Sequence, residues 1–246
     1  MPNLFTACKQ LVDKKFKEFV GPVAEENGFK FKNYTYYRVK NGMLQSFALK
    51  NCSVGWFEVC FFVSPTSLGL TSTGSGNGIA YFNKDNKYHM TSVGAWNYYH
   101  EPKKIISHMN EIKEIIEERL IPFFDGLTDD RALLSFYKKP LYTNIDNCRE
   151  ILNLYLRLEE YDEAEKMLRD SIEKKISMLY NDIHGLSEHP CKWDGKGYLL
   201  MFNIAAKEAL MLNNLEEKNY EFFKEMIKEK EKITEEFLKH PKFYRL

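Results

Sequence analysis

The sequence lacks an excess of charge of either sign, since 35 Lys and Arg balance 35 Asp and Glu. No overall attraction to nucleic acid or to an anionic membrane surface follows from that composition, and only a local patch would supply one. Cysteine is scarce as well. Cys8, Cys52, Cys60, Cys148 and Cys191 are odd in number and scattered, which argues against a disulfide framework and suits free thiols in a reducing cytoplasm. No apolar run approaches the roughly 20 residues that a membrane-spanning helix needs. Lys9, Lys14, Lys15 and Lys17 interrupt the apolar residues up to Val20, so a signal-peptide core is missing too. These absences predict a cytoplasmic protein without a membrane partner. A phosphate loop is also lacking: Gly76-Asn77-Gly78 is not followed by a helix-opening Lys-Ser/Thr and reads as a flexible loop. No cofactor motif stands elsewhere.

What the chain has in quantity is aromatic residues, 15% of the total within 44% hydrophobic. Its 246 residues suffice for one large domain or two small ones without staples.

Hydrophobic spacing divides the chain. Leu4, Ala7, Cys8, Leu11, Val12, Phe16 and Phe19 fall near helical spacing and predict a helix over 3–27, with Gly21-Pro22 as a kink and Asn27-Gly28 as its stop. The pattern then turns to period two. Runs at 33–39 and 44–50 flank Asn41-Gly42, a pair that tolerates positive φ at both central turn positions and so predicts a hairpin. A third run, 55–63, places Phe57, Val59, Phe61 and Val63 on a core face and Trp56, Glu58, Cys60 and Phe62 on the other. Residues 64–78 read as a long mobile loop, and 79–82 with 88–93 as a second hairpin. Connections this short exclude parallel crossovers, so the sheet is expected to be antiparallel. A helix opening at Glu101-Pro102 carries Ile105, Met109, Ile112, Ile116 and Leu120, and Pro122 ends or bends it.

The rest reads as helical. Cys148 to Leu158 and Tyr161 to Leu179, joined through Glu159-Glu160, predict an antiparallel hairpin whose turn is similar to that of a tetratricopeptide repeat. Two further amphipathic helices run from Tyr198 to Leu212 and from Tyr220 to Leu238. The expected fold is α+β: a sheet module over 1–125, then a helical module over 126–246.

Asn27-Gly28-Phe29-Lys30, Tyr36-Tyr37-Arg38-Val39, the hairpin to Gln45 and Leu120-Ile121-Pro122-Phe123-Phe124-Asp125 together resemble the bacterial domain of unknown function 4304 family over residues 5–137. The resemblance implies an antiparallel sheet closed by a late helix. It brings no catalytic residues.

Candidate chemistry is thin. His184, His189 and Cys191, with Asp182 and Asp194 nearby, are the best metal cluster, although their spacing matches no strong zinc signature and they read as part of a connecting loop. Cys60 and Cys148 read as buried structural thiols, and Asp129-Asp130 as complements to a helix dipole. Lys30, Phe31, Lys32, Tyr34, Tyr36 and Arg38 interleave cations with aromatics, the pattern of a single-stranded nucleic-acid binder. A protein-binding face is the other reading. If Tyr37 and Val39 point to the core, Tyr34, Tyr36 and Arg38 share the opposite side, which Trp56 and Glu58 extend. The competing possibility is that helices cover this face as a second core. The functional expectation is a non-catalytic protein-binding module, with an inhibitor or immunity role as its narrower form and an enzyme of unrecognised type or a single-stranded nucleic-acid binder as the alternatives.

Overall fold

The structure is a computed structural model, and it describes residues 4–32, 34–52, 56–70, 77–78, 96–97, 102–139, 148–188 and 195–240. It is α+β. The second expected hairpin at 79–82 and 88–93 lies outside the described residues.

Helix α1 (Leu4–Glu26) buries Cys8, Val12, Phe16, Val20, Val23 and Ala24 along one stripe. Pro22 does not break it. The residue lies on the exposed side, where solvent reaches the carbonyl left without its N–H partner. Asn27-Gly28 stops the helix as the sequence predicts: Gly28 takes φ 79°, and Phe29 N–H donates to Ala24 O at 3.0 Å.

Strands β1 (Lys30–Lys32), β2 (Thr35–Lys40), β3 (Met43–Cys52) and β4 (Trp56–Pro65) follow as an antiparallel meander, with the two-residue β5 (Asn77–Gly78) and β6 (Trp96–Asn97) both pairing with β4. The β2–β3 turn is Asn41-Gly42 at φ 54° and 70°, the double positive φ that this dipeptide permits. Phe57, Val59, Phe61 and Val63 are all buried, as their alternation requires. Phe57 meets His108 of α2 (Ile105–Ile115) at a centroid distance of 6.3 Å, and Ile105, Met109 and Ile112 of that helix are buried as well.

Pro122 does not end that helix. The turn before it, Ile116–Leu120, widens to π-helical geometry, with Ile121 N–H donating to Ile116 O, and α3 (Ile121–Asp125) continues the course. A wide turn relieves the clash between a proline ring and the carbonyl four residues back. Phe124 of α3 reaches Phe29 and Phe61, at centroid distances of 5.9 and 6.1 Å. The expected loop at 64–78 also begins later than predicted. Strand β4 runs through Pro65, a single 3-10 turn covers Thr66–Leu68, and Ser64, Ser67, Leu68 and Leu70 are buried.

Two compact units result. One comprises 1–133 together with 230–246, the other 134–229. The cut falls within α4 (Asp130–Tyr137), and residues 230–240 belong to the sheet unit. In the sheet unit Asp129 caps α4, its Oδ1 accepting from Ala132 N–H at 2.8 Å, so this aspartate serves the helix end as its position suggests.

In the second unit α5 (Cys148–Arg157) turns into α6 (Tyr161–Glu188) through Glu159 at φ 57°. Helix α7 (Gly195–Glu216) lies antiparallel to α6: Arg169 meets Glu216 at 2.5 Å and Lys175 meets Glu208 at 2.9 Å, so positions rising along one helix fall along the other. Lys218 at φ 55° then turns the chain into α8 (Tyr220–Lys239). Cys148 is exposed at the start of α5 and not buried on its apolar side, because the stripe begins only at Ile151.

Candidate functional site

Register decides what the sheet offers to a partner. Directly opposed residues of an antiparallel pair share a face. Tyr36 lies opposite Phe47, which lies opposite Phe61, and Arg38 lies opposite Gln45, which lies opposite Val63. Tyr36 and Arg38 therefore share the core face with Phe61, under the helices. Tyr37 and Val39 take the other face, and Val39 is 51% exposed. The expected face assignment for β2 is reversed.

Tyr36 is 0% exposed. Its ring stacks on Phe47 at 5.2 Å and meets the edge of Phe16 of α1 at 6.0 Å. Its hydroxyl is buried without a hydrogen-bond partner, next to Gly21, where an added Cβ would lie 3.1 Å away. Burial, and then the nearby Glu25 charge, push its pKa up to about 12.

Arg38 is buried as a clamp. Nε donates to Gln45 Oε1 at 2.7 Å, Nη1 to Asn27 O at 2.8 Å and Nη2 to Asp125 Oδ1 at 2.7 Å, while the guanidinium lies 4.4 Å above the Phe29 ring. Gln45 Nε2 extends the network to Phe124 O at 2.9 Å, and Lys40 Nζ adds a second cation to Asp125 Oδ1 at 2.7 Å. Burial acts to raise the Asp125 pKa, but hydrogen bonds and charges from Lys40 and Arg38 outweigh it and hold the carboxyl below its ordinary value. One side chain thus ties the end of α1, two strands and the α3 corner together. The sequence marked Asn27, Gln45 and Asp125 as parts of a helix stop, a hairpin and a resemblance, not as partners of Arg38; the signal for one of these contacts was that Arg38 and Gln45 stand at equal distance from the Asn41-Gly42 turn.

Tyr34 and Glu58 lie apart from Tyr36 and Arg38. Tyr34 is exposed at φ 64° in the β1–β2 turn. Glu58 sits on the back face opposite Lys50, with an ion pair of 3.2 Å, and accepts from half-buried Cys60 Sγ at 3.3 Å. The Trp56 side chain lies outside the described residues. The four described side chains therefore form no common surface. The nucleic-acid pattern is dispersed as well, since Phe31 packs on Tyr36 at 4.7 Å beneath Lys17, and Lys32 holds the end of α8.

Asp182 and His184 belong to α6 rather than to a connecting loop, and His189, Cys191 and Asp194 lie outside the described residues. Among the described residues no three His, Cys, Asp or Glu side chains converge on a metal position. Among the described residues Ser171 and Lys175 approach as a nucleophile and base would, at 2.5 Å. Glu208 takes the same Lys175 ammonium at 2.9 and 3.0 Å. An ammonium shared in this way has no lone pair for the serine proton, so the trio reads as an ion-paired brace between α6 and α7.

No protein-family model, no curated protein and no solved structure matches the chain. No described helix is long and apolar enough to cross a membrane.

Proposed function

We propose that this protein is a non-catalytic module that binds another protein, and that its contact surface lies on α6 and α7 rather than on the sheet. One observation carries the reading. The apolar stripe of α6 outruns its partner helix: Ala164 and Leu168 are buried, Ile172 is half-buried, and Ile176, one turn further, is 59% exposed. Ten-residue α5 is too short to follow twenty-eight-residue α6. Across the hairpin, Phe202 and Leu210 of α7 are each 55% exposed. Met178 of α6 and Ile204 of α7 are exposed as well, and an accumulation of large apolar side chains in water is what an interaction surface presents.

A bacterial protein of the domain of unknown function 4304 kind, working in the cytoplasm as an inhibitor or immunity factor, fits this reading and forms part of the proposal. The test is affinity capture from native cells with the full chain and with an Ile176→Glu, Phe202→Glu variant, alongside melting curves. Loss of a specific partner at unchanged melting temperature is the expected result. An identical set of captured proteins would sink the assignment.

A further inference from the structure

The back face of the sheet is closed by the last turns of α8. Lys230, Thr234 and Leu238 recur every four residues on the side turned to the sheet. Lys230 packs on Gly69, whose added Cβ would lie 3.3 Å from its Cγ, Thr234 is fully buried, and Leu238 packs on Leu44, Leu68 and Leu70. Lys232, Ile233, Glu235, Glu236 and Lys239 of the same turns are exposed.

Polar bonds seat this segment as much as apolar ones. Thr234 Oγ1 accepts from Leu70 N–H at 2.8 Å and donates to Thr66 O at 2.5 Å. Lys32 Nζ donates to Leu238 O at 3.2 Å and also to His240 O, satisfying carbonyls at the helix end. A valine at 234 would fill the same space. A threonine with both bonds made fixes one seating, and its partners can return to water when the contact opens. None of these bonds belongs to a strand ladder, so the segment can lift while β2, β3 and β4 stay paired.

We infer that residues 230–240 are a strap, and that the apolar patch beneath it is a binding site for an amphipathic helix of a protein partner. The patch consists of Leu44, Leu68 and Leu70, flanked by Tyr37 and Phe62. The strap itself defines the ligand chemistry: a helix presenting a small hydroxyl residue and, four positions on, a leucine, with carbonyls at its C-terminus for Lys32. This site is separate from the α6–α7 surface, and the failure of either leaves the other standing.

A labelled synthetic peptide of residues 228–240 is the probe, titrated into the full chain and into its Leu238→Asp variant. The variant is expected to bind the peptide about ten-fold more tightly than the parent chain, because its own strap no longer competes. Hydrogen exchange gives a second readout in Thr234→Val, a milder change. The Leu70 amide is expected to exchange about ten-fold faster than in the parent, with β3 and β4 protection unchanged. Equal peptide binding by both chains would overturn the inference. So would a Leu70 amide that opens only together with the strands, a result that decides the matter even if Leu238→Asp fails to fold.

Discussion

Tyr161 and Tyr220 stand at the same place after two helix ends built alike, and their rings stack face to face with centroids 4.0 Å apart and planes 6° from parallel. Each follows by two positions a residue in the left-handed conformation, Glu159 or Lys218. Glu160 N–H donates to Tyr155 O and Asn219 N–H to Asn214 O, the same closing bond at both turns. Two short links thus bring equivalent positions of the α5–α6 and α7–α8 turns into contact. The second unit closes on itself at this end.

Replacing either tyrosine with Ala is expected to destabilise the helical unit, and the double replacement should cost less than the sum of the two. A coupling of about 0.5–1.5 kcal/mol is the usual worth of a ring pair beyond its buried area. Denaturant melts of the four chains measure it, and additive losses would show that the rings merely lie side by side.

Tyr36→Phe is expected to keep or raise stability, by up to about 1 kcal/mol, since it removes a buried hydroxyl that lacks a partner. Gly21→Ala should be tolerated better in that background, because the crowding atom is the hydroxyl itself. The pH dependence has a definite sign. With the folded pKa raised to about 12, the unfolded chain ionises first, so this contribution is full below the ordinary tyrosine pKa and is lost as pH rises from there towards 12. Tyr36→Phe should flatten this alkaline loss in thermal melts.

Arg38→Ala should cost about 1–3 kcal/mol, because buried Gln45 Oε1 loses its donor while exposed Asp125 keeps Lys40 and water. Arg38→Lys should restore little, because an ammonium cannot reproduce the planar fork that serves Gln45, Asn27 and Asp125. Asp125 adds a dependence at acid pH. Its folded pKa is depressed, so its contribution is present above the unfolded carboxylate pKa and is lost as pH falls through the folded value. Asp125→Asn should remove that acid limb, which urea melts at graded pH would register.

Phe61→Ala should cost about 3–5 kcal/mol, as core aromatic truncations do. The residue is buried between strand neighbours and both Phe123 and Phe124, at 5.6 and 6.1 Å. A loss below about 1 kcal/mol in equilibrium unfolding would mean that the site collapses around the gap.

The α+β class, the Asn27-Gly28 helix stop, the Asn41-Gly42 hairpin and the core stripes of β4 and α2 are legible in the residue order alone. Each of these is local: a positive φ that the turn residues tolerate, or an apolar repeat of two or of three to four residues. Tertiary structure decided which face of β2 is inside. Alternation separates Tyr36 and Arg38 from Tyr37 and Val39 but does not say which pair meets the helices, and only the pairing of Phe47 with Phe61 across β3 and β4 orients them. The same holds for Asp125, which reaches Arg38 across 87 positions of chain, and for residues 230–240, a helix end with no local sign that it returns to close the sheet. Such contacts depend on where distant segments meet, and spacing along a chain carries no record of that.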